Sequence, residues 1–169
     1  MNSTEVLLDA FGRVHDVVHR AVDGFPAEQL DARLDSDANS IAWLVWHLTR
    51  IQDDQVAAAA GLEQVWLGRG WADRFGLPFD RTATGYGHGT EHVAAVKVRS
   101  GELLTGYYDE THEQTIRYVA GLGDTDLDRI VDTAWDPPVT LGVRLVSVIQ
   151  DCLEHGGQAA FIRGVLDRR

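Results

Sequence analysis

The sequence has little cysteine and little positive charge. Cys152 is the only cysteine in 169 residues, so no disulfide can form within the chain. A single thiol fits a reducing compartment, and we interpret Cys152 as a buried, unreactive side chain. Lysine and arginine number 15 against 26 acidic residues, which gives a net charge of −11. This balance argues against nucleic acid as a partner, because binding its phosphates requires a basic surface.

Long apolar runs are also missing. No 18 uncharged apolar residues occur together, and the first residues show no basic region followed by an apolar block. We therefore expect no membrane partner and a cytoplasmic location. A Walker loop, a dinucleotide glycine fingerprint, a Cys-x-x-Cys pair and internal repeats are absent as well. Small molecules or proteins remain as partners, and the sequence leaves a homodimer open.

Four long segments with helical periodicity dominate what is present. With 44% hydrophobic residues, the chain can fill one core and is too short for two ordinary domains, so residues 1–169 are predicted to form one domain. The predicted helices are Thr4–Phe25, a segment capped by Asn39 or Ser40 that ends at Gly61, Gly101–Ala120, and Thr140–Leu166.

The stretch between the second and third of these helices is long and irregular. Only short helices are predicted there, near Glu63–Leu67, Ala72–Phe75 and Glu91–Val96. A long irregular stretch in a compact domain is usually functional, and its aromatic residues argue against disorder. The sequence thus predicts an all-α four-helix bundle with a long, partly helical crossover between helices 2 and 3, and no substantial sheet.

A polar line runs along the last predicted helix. Its apolar residues fall on every side, which predicts a helix buried in the middle of the domain. Five polar residues nevertheless lie within a sector of roughly 80°: Arg144, Ser147, Asp151, His155 and Gln158. A buried acid and an imidazole one turn apart need a common partner, because an unpaired ionisable group is costly in an apolar interior. A metal ion satisfies both.

His47 supplies a third donor. It projects from the apolar face of the second helix, where a single histidine is more often a hydrogen-bonded core residue. Together with Asp151 and His155 it forms the two-imidazole, one-carboxylate set that borderline divalent metals accept. Asp54, two turns further along the same face, is either an additional contributor to that site or an acid that ends the apolar stripe.

The remaining histidines carry weaker signals. His15 and His19 have the four-residue spacing of a metal clamp, but they lie at the edge of the apolar stripe and are predicted to be solvated. His88, in the segment TATGYGHG, and His92 are predicted to be loop histidines, with a substrate contact as the alternative. His112 flanks the stripe of the third helix and is predicted to be partly buried and hydrogen-bonded.

Two segments carry a resemblance to a known superfamily: SIAWLVWHLTR at 40–50 and DCLEHGGQAAFIRG at 151–164. They resemble the DinB-like superfamily, in which a histidine of the second helix and a His-x-x-x-His pair of the fourth hold a divalent metal. Asp151 stands here where many members have the first histidine of that pair, and mycothiol-dependent maleylpyruvate isomerases also carry an acid there. The segments TGYGH, VDTAWDPPVT and RLVSVIQDC are similar to the actinobacterial mycothiol S-transferases. No segment resembles the isomerase's C-terminal domain.

The resemblance implies a function. His47, Asp151 and His155 would hold Zn²⁺ or, with the same ligand set, Ni²⁺, Mn²⁺ or Fe²⁺. The implied reaction joins mycothiol, the small-molecule thiol, to a small electrophile, as in detoxification. A free thiol has a pKa of about 8.5, and a metal with an open position favours its thiolate. Arg144 and Gln158 are candidates for binding the co-substrate or supporting the metal ligands, with helix packing as the alternative.

Two other classes of function stay open at this point. The same three residues could lower the pKa of a bound water, which would make the protein a metal-dependent hydrolase of a small amide or ester. Alternatively, the protein could be a non-catalytic stress-response module that keeps a metal for stability. A hydrolase needs no thiol, and a purely structural site needs a closed coordination sphere, so both alternatives are testable.

Overall fold

The computed structural model describes residues 1–168, and Arg169 lies outside the described residues. Helices contain 65% of the residues, which confirms the predicted all-α class. The elements in chain order are α1 (Ser3–Val22), α2 (Ala27–Leu30), α3 (Ile41–Ala60), α4 (Val65–Gly68), α5 (Trp71–Phe75), α6 (Thr90–Ala95), α7 (Gly101–Ala120), a 3₁₀ helix (Asp124–Asp128), β1 (Ile130–Asp132), β2 (Val139–Thr140) and α8 (Leu141–Leu166).

The four long helices form a bundle. Both α1 and α3 pack against α7 and against α8, so α1 and α3 lie diagonally opposite each other. The short helices α4, α5 and α6 occupy the crossover between α3 and α7, as predicted. One short helix, α2, was not predicted, because it lies in a connector that reads as polar and irregular. No helix within residues 1–168 has the length and apolarity required to cross a bilayer.

Side chains cap the starts of three of the four long helices. Ser40 Oγ accepts the Trp43 N–H at 3.1 Å at the start of α3, as predicted, and the Thr140 hydroxyl accepts the Val143 N–H at the start of α8. Gly61 ends α3 with φ +67°, a left-handed conformation that glycine adopts without strain. Helix α1 begins one residue before the predicted Thr4 and ends three residues before the predicted Phe25. Asn2 caps that helix by a reciprocal pair of hydrogen bonds with Glu5.

The central helix of the bundle is α3, not α8. Every residue from Ile41 to Arg50 is buried, whereas α8 buries only one stripe. Several large apolar residues of α8 are exposed instead: Val143, Val146, Leu153 and Phe161. The prediction that α8 is buried on all sides was therefore wrong. Composition reports how apolar a helix is, but the number of neighbours around it depends on the packing of the whole chain.

A small two-stranded ladder precedes α8. β1 and β2 are antiparallel, with Ile130 paired to Thr140 and Asp132 to Val139. The sequence predicts no regular structure here, because the segment is short and contains two adjacent prolines. The ladder brings Asp132 next to Arg144 of α8, whose guanidinium donates to the carboxylate at 2.6 Å. It therefore fixes the entry of the chain into α8.

Candidate metal centre

The structure brings His47, Asp151 and His155 together where α3 packs on α8. One potential ligand atom from each residue lies within 4.8 Å of the other two. Asp151 and His155 are one turn apart on α8, and His155 Nε2 lies 3.7 Å from Asp151 Oδ1. The predicted convergence of two helices is therefore present, although the role of the three residues as ligands stays a prediction.

His47 is held with one ring nitrogen free for a ligand. Its Nδ1 donates to the Thr84 carbonyl at 2.6 Å, because a carbonyl oxygen can only accept. The ring stacks on Trp43 with centroids 4.7 Å apart. Burial lowers the pKa of His47 below its ordinary value, although the hydrogen bond to Thr84 opposes that shift. The neutral ring therefore points its Nε2 lone pair away from the loop.

His155 is oriented in the same manner from the opposite helix. Its Nδ1 lies 3.2 Å from Gln158 Oε1, an oxygen that accepts a hydrogen bond from the ring. Histidines that bind metals commonly donate their second nitrogen to such an acceptor, which fixes the tautomer. The side chain is 20% exposed and that of Asp151 is 33% exposed. The centre therefore has an inner wall of aromatic residues and a side that is open to solvent.

Asp151 carries the clearest sign of an absent partner. Its Oδ2 atom is shielded from solvent and has no hydrogen-bond partner among residues 1–168. A shielded carboxylate oxygen without a donor is costly, and native proteins rarely keep one. The imidazoles of His47 and His155 lie beside this carboxylate, and a free imidazole nitrogen carries a lone pair that cannot satisfy an acid when the ring is neutral. A divalent cation fits this donor set, since it satisfies one acid and two imidazoles together.

The loop after residue 82 presses directly on His47. Gly85 has φ +95°, and a Cβ built there would lie 2.6 Å from His47 Nδ1. Only glycine permits both this backbone conformation and this close approach. The sequence predicts a loop for the segment TATGYGHG, and Tyr86 within it is 90% exposed. It did not predict that Thr84 and Gly85 set the ring of His47; the glycines around Tyr86 were the available signal.

His88 packs in the aromatic wall of the centre and is not an open loop histidine. Its ring lies 4.7 Å from that of Phe79 and stacks on Trp46, and Trp43 Nε1 donates to its Nδ1 at 3.4 Å. Burial lowers the pKa of His88. His92, by contrast, is exposed as predicted. His88 therefore supports Trp43, the residue on which His47 stacks.

The two residues predicted to bind the co-substrate lie in different surroundings. Gln158 is exposed and touches the ring of His155, so its position is adjacent to the centre. Arg144 pairs with Asp132 and also donates to Gln55 of α3. Its side chain is therefore engaged at the β1 end of α8, and a contact with the co-substrate stays a prediction.

A buried ionic network on α3 was missed by the sequence analysis. The carboxylate of Asp53 accepts the N–H groups of Val65 and Trp66 at 2.9 and 2.7 Å and the Tyr107 hydroxyl at 2.9 Å. The Arg50 guanidinium lies 3.7 Å away, and both charged side chains are at most 1% exposed. Asp54, the acid that the helical pattern singled out instead, is only half-buried and accepts hydrogen bonds from Gln55 and Gln64.

Arg50 connects this network to the candidate metal centre. Its Nε donates to the Ala83 carbonyl at 3.1 Å, and the next carbonyl in the chain, that of Thr84, holds His47. The buried network therefore positions the loop that orients the ring. Cys152 lies on α8 with its Sγ 3.6 Å from the Leu48 carbonyl, and burial raises the pKa of its thiol. The predicted burial of Cys152 is confirmed.

The prediction that His15 and His19 are solvated was wrong. They lie half-buried against Asp109 of α7, because α7 covers the edge of the α1 stripe. His112 is partly buried as predicted, but its Nδ1 has no hydrogen-bond partner in the part of the chain that the structure describes. The four-residue spacing of His15 and His19 is that of a metal clamp, but the acid opposite them, Asp109, is brought there only by the packing of α7.

Comparisons with known proteins show the family and the fold of the chain. A family model described as Mycothiol-S-transferase matches residues 6–168. A crystal structure of a conserved protein from Enterococcus faecalis is similar over 100% of this chain and 99% of that chain, with a TM-score of 0.92 and 28% sequence identity. No curated protein sequence matches the chain.

Proposed function

Because the chain belongs to the Mycothiol-S-transferase family, a DinB-like family, we propose that it is a metal-dependent transferase that joins mycothiol to small electrophiles. The net reaction forms a bond between the thiol sulfur and an electrophilic carbon. When a halide is displaced, it departs with the bonding electron pair, and the thiol proton balances its charge. When a strained ring or an activated double bond is attacked, the proton ends on the opened oxygen or on carbon.

The observation that carries this proposal is the shielded, unpartnered oxygen of Asp151 between two oriented imidazoles. His47 and His155 each bind an acceptor through Nδ1, so both present Nε2 as a neutral donor. A divalent ion bound there supplies positive charge that favours the thiolate form of a coordinated thiol. Zn²⁺ is the first ion to test, and Ni²⁺, Mn²⁺ and Fe²⁺ suit the same donors.

The protein's own residues position and shield the reacting groups. Trp43 stacks on His47 and meets His155 edge-on, with centroids 6.2 Å apart, so apolar surface lines the inner side of the centre. This wall excludes water from one side of the sulfur and strengthens the electrostatic interactions there. Gln158 and Thr84 keep both imidazole rings in the tautomer that the site requires.

An adjoining groove offers room for the organic parts of the substrates. It has a volume of about 430 Å³ and is lined by Leu34, Asn39, Leu44, Gly157, Gln158, Phe161 and Ile162. Gln158 lines the groove and also contacts His155, so a molecule bound in the groove lies next to the candidate metal centre. Mostly apolar walls with a few polar groups are typical of small-molecule sites. We propose that the groove binds one of the two substrates.

Metal analysis combined with a thiol-transfer assay tests the proposal. His47→Ala should lose the metal of this centre and reduce mycothiol transfer by more than about 100-fold, since the ion and the bound thiol depend on the same ligands. His92→Ala removes an exposed histidine that is not one of the three predicted ligands and should match the wild type. Asp151→Ala should behave as His47→Ala, whereas Asp151→His should keep the metal with an altered rate and pH dependence.

Each alternative function has its own signature in these assays. Turnover of an ester or amide without any thiol would identify a hydrolase instead. Full metal content with no turnover of any thiol tested, including mycothiol, would identify a structural metal site. Wild-type metal content and activity in Asp151→Ala would show that Asp151 is not a ligand.

A further inference from the structure

A second group of metal-binding side chains lies where α1 packs on α7. It consists of His15 and His19 from α1 and Asp109 from α7, and one ligand atom of each lies within 4.8 Å of the others. The three side chains are 36%, 27% and 47% exposed, respectively. Since the first centre joins α3 and α8, this group belongs to a different pair of helices. It has no part in the function proposed above.

The two nitrogens of His19 both face carboxylates. Nδ1 lies 3.1 Å from Asp23 Oδ2, and Nε2 lies 2.8 Å from Asp109 Oδ1. A neutral imidazole carries one N–H and one lone pair, so it can satisfy only one of these acceptors. The other contact would place a lone pair against an anionic oxygen. The geometry therefore requires a positive charge at His19, supplied either by a second ring proton or by a metal cation.

His15 approaches the same carboxylate in a similar arrangement. Its Nε2 lies 3.3 Å from Asp109 Oδ1, the oxygen that His19 also contacts, and its Nδ1 lies 3.8 Å from Asp16. The four-residue spacing on one helix turns both Nε2 atoms towards α7. Each ring thus has its Nε2 at the shared centre and its Nδ1 towards a carboxylate of its own helix. This arrangement is common for histidines that bind metals.

His112 completes the wall beside this group. Its ring centroid lies 4.9 Å from that of His15, and burial lowers the pKa of His112 to about 4. A neutral third imidazole therefore stands next to the two on α1. The open side faces a groove of about 580 Å³ that Arg20 and Arg163 also line. Water or a small anion can approach from there to fill the remaining coordination positions.

We propose that His15, His19 and Asp109 form a second divalent-metal site, selective for ions that accept imidazole such as Zn²⁺, which ties α1 to α7. Two imidazoles and one carboxylate suit Zn²⁺, Ni²⁺ or Cu²⁺ and exclude Mg²⁺ or Ca²⁺ as preferred ions, since those favour oxygen ligands. Asp23, whose carboxylate lies 3.1 Å from His19 Nδ1, acts as a positioning residue that holds the tautomer of that ring.

A proton competes with the metal at this site. Burial lowers the pKa of His19, but its hydrogen bonds to Asp109 and Asp23 raise it above the ordinary value overall. Metal binding must displace that proton, so it should tighten as the pH rises from 6 to 8. The competing interpretation is a proton-mediated ion pair with no affinity for metal, and the experiment must separate the two.

Zinc titration of the full chain at pH 8 tests the proposal. The variant His47→Ala/His155→Ala, which lacks the first centre, should bind one equivalent of Zn²⁺ in calorimetry after treatment with a chelator. Adding His15→Ala/His19→Ala should abolish this equivalent, whereas adding His92→Ala should leave it unchanged. Asp23→Asn should weaken it by about 10-fold or more. With Co²⁺ in place of Zn²⁺, visible absorption should report nitrogen ligands in the His47→Ala/His155→Ala protein and in the variant that adds His92→Ala to it.

A thermal measurement provides a second, independent readout. Zn²⁺ should raise the unfolding midpoint of the His47→Ala/His155→Ala protein, because the ion joins two helices only in the folded state. His15→Ala/His19→Ala alone should lower the wild-type stoichiometry from two to one and leave thiol transfer intact. Absence of zinc binding in His47→Ala/His155→Ala, or equal binding with and without His15 and His19, would overturn the second site. Neither result would bear on the first.

Discussion

Asp53 and Asp151 both place carboxylate oxygens out of contact with water, but their partners differ. Asp53 accepts two backbone N–H groups and a tyrosine hydroxyl and lies beside the Arg50 guanidinium. Asp151 has an oxygen with no partner among the described residues and faces two imidazoles. The carboxylate of Asp53 is satisfied by donors within the fold, whereas that of Asp151 fits a cation bound from solution. Partners, rather than burial, distinguish a structural acid from a functional one.

The largest expected effect concerns Asp53. Asp53→Ala leaves the Arg50 charge buried without its acid, so we expect a loss of about 3–5 kcal/mol in the free energy of unfolding, measured by urea denaturation. Asp54→Ala is the matched control on the same helix, because Asp54 is only half-buried, and it should cost less than about 1 kcal/mol. Equal losses in the two variants would break the comparison.

The next effect concerns the loop that links the two regions. Gly85→Ala places a methyl group against His47 in a strained backbone conformation and should cost about 1–3 kcal/mol. By displacing the ring, it should also weaken metal binding at the first centre by about 10–100-fold. Gly87 has φ +74° but open space around it, so Gly87→Ala should carry the cost of the strained backbone without a contact with His47. Calorimetric metal titration of both variants should separate these contributions.

A smaller effect of opposite sign is expected at Asp151 in metal-free protein. Asp151→Ala removes the unpartnered oxygen and should raise the free energy of unfolding by about 1.5 kcal/mol, measured with a chelator present. Added Zn²⁺ should stabilise the wild type more than this variant, since the variant lacks a ligand of the first centre. A marked loss of stability in metal-free Asp151→Ala would mean that Asp151 serves the fold as Asp53 does.

The smallest effect extends the comparison to a histidine. The pKa of His112 is about 4 when folded and about 6.5 in an unfolded chain, so the unfolded state takes up a proton that the folded state refuses. The contribution of His112 to stability should therefore fall with decreasing pH between about 6.5 and 4. The loss from pH 7.5 to 5.5 should be about 1 kcal/mol. Metal-free His112→Phe should show a correspondingly shallower pH profile, and an unchanged profile would contradict this assignment.

Local patterns in the sequence predicted much of the architecture. The bounds Gly101–Ala120 were predicted as α7 has them, and Ser40 and Gly61 were predicted at the two ends of α3. Helical periodicity, capping residues and helix-ending glycines act within a few positions of the chain, so they can be read without knowing the fold. The convergence of His47 with Asp151 and His155 was predicted as well, since all three face inwards from their helices.

Three features were not predictable in this way. They are the deeper burial of α3 than of α8, the burial of Asp53 rather than Asp54, and the contact of Gly85 with His47. Asp53 and Asp54 are adjacent and chemically identical, and only the positions of Val65, Trp66 and Tyr107 distinguish them. His15 and His19 read as surface residues until α7 places Asp109 opposite them. Sequence alone determined where the long helices lie and where most of them end, because those preferences are local. Tertiary structure decided which inward groups meet, because that depends on contacts between residues far apart in the chain.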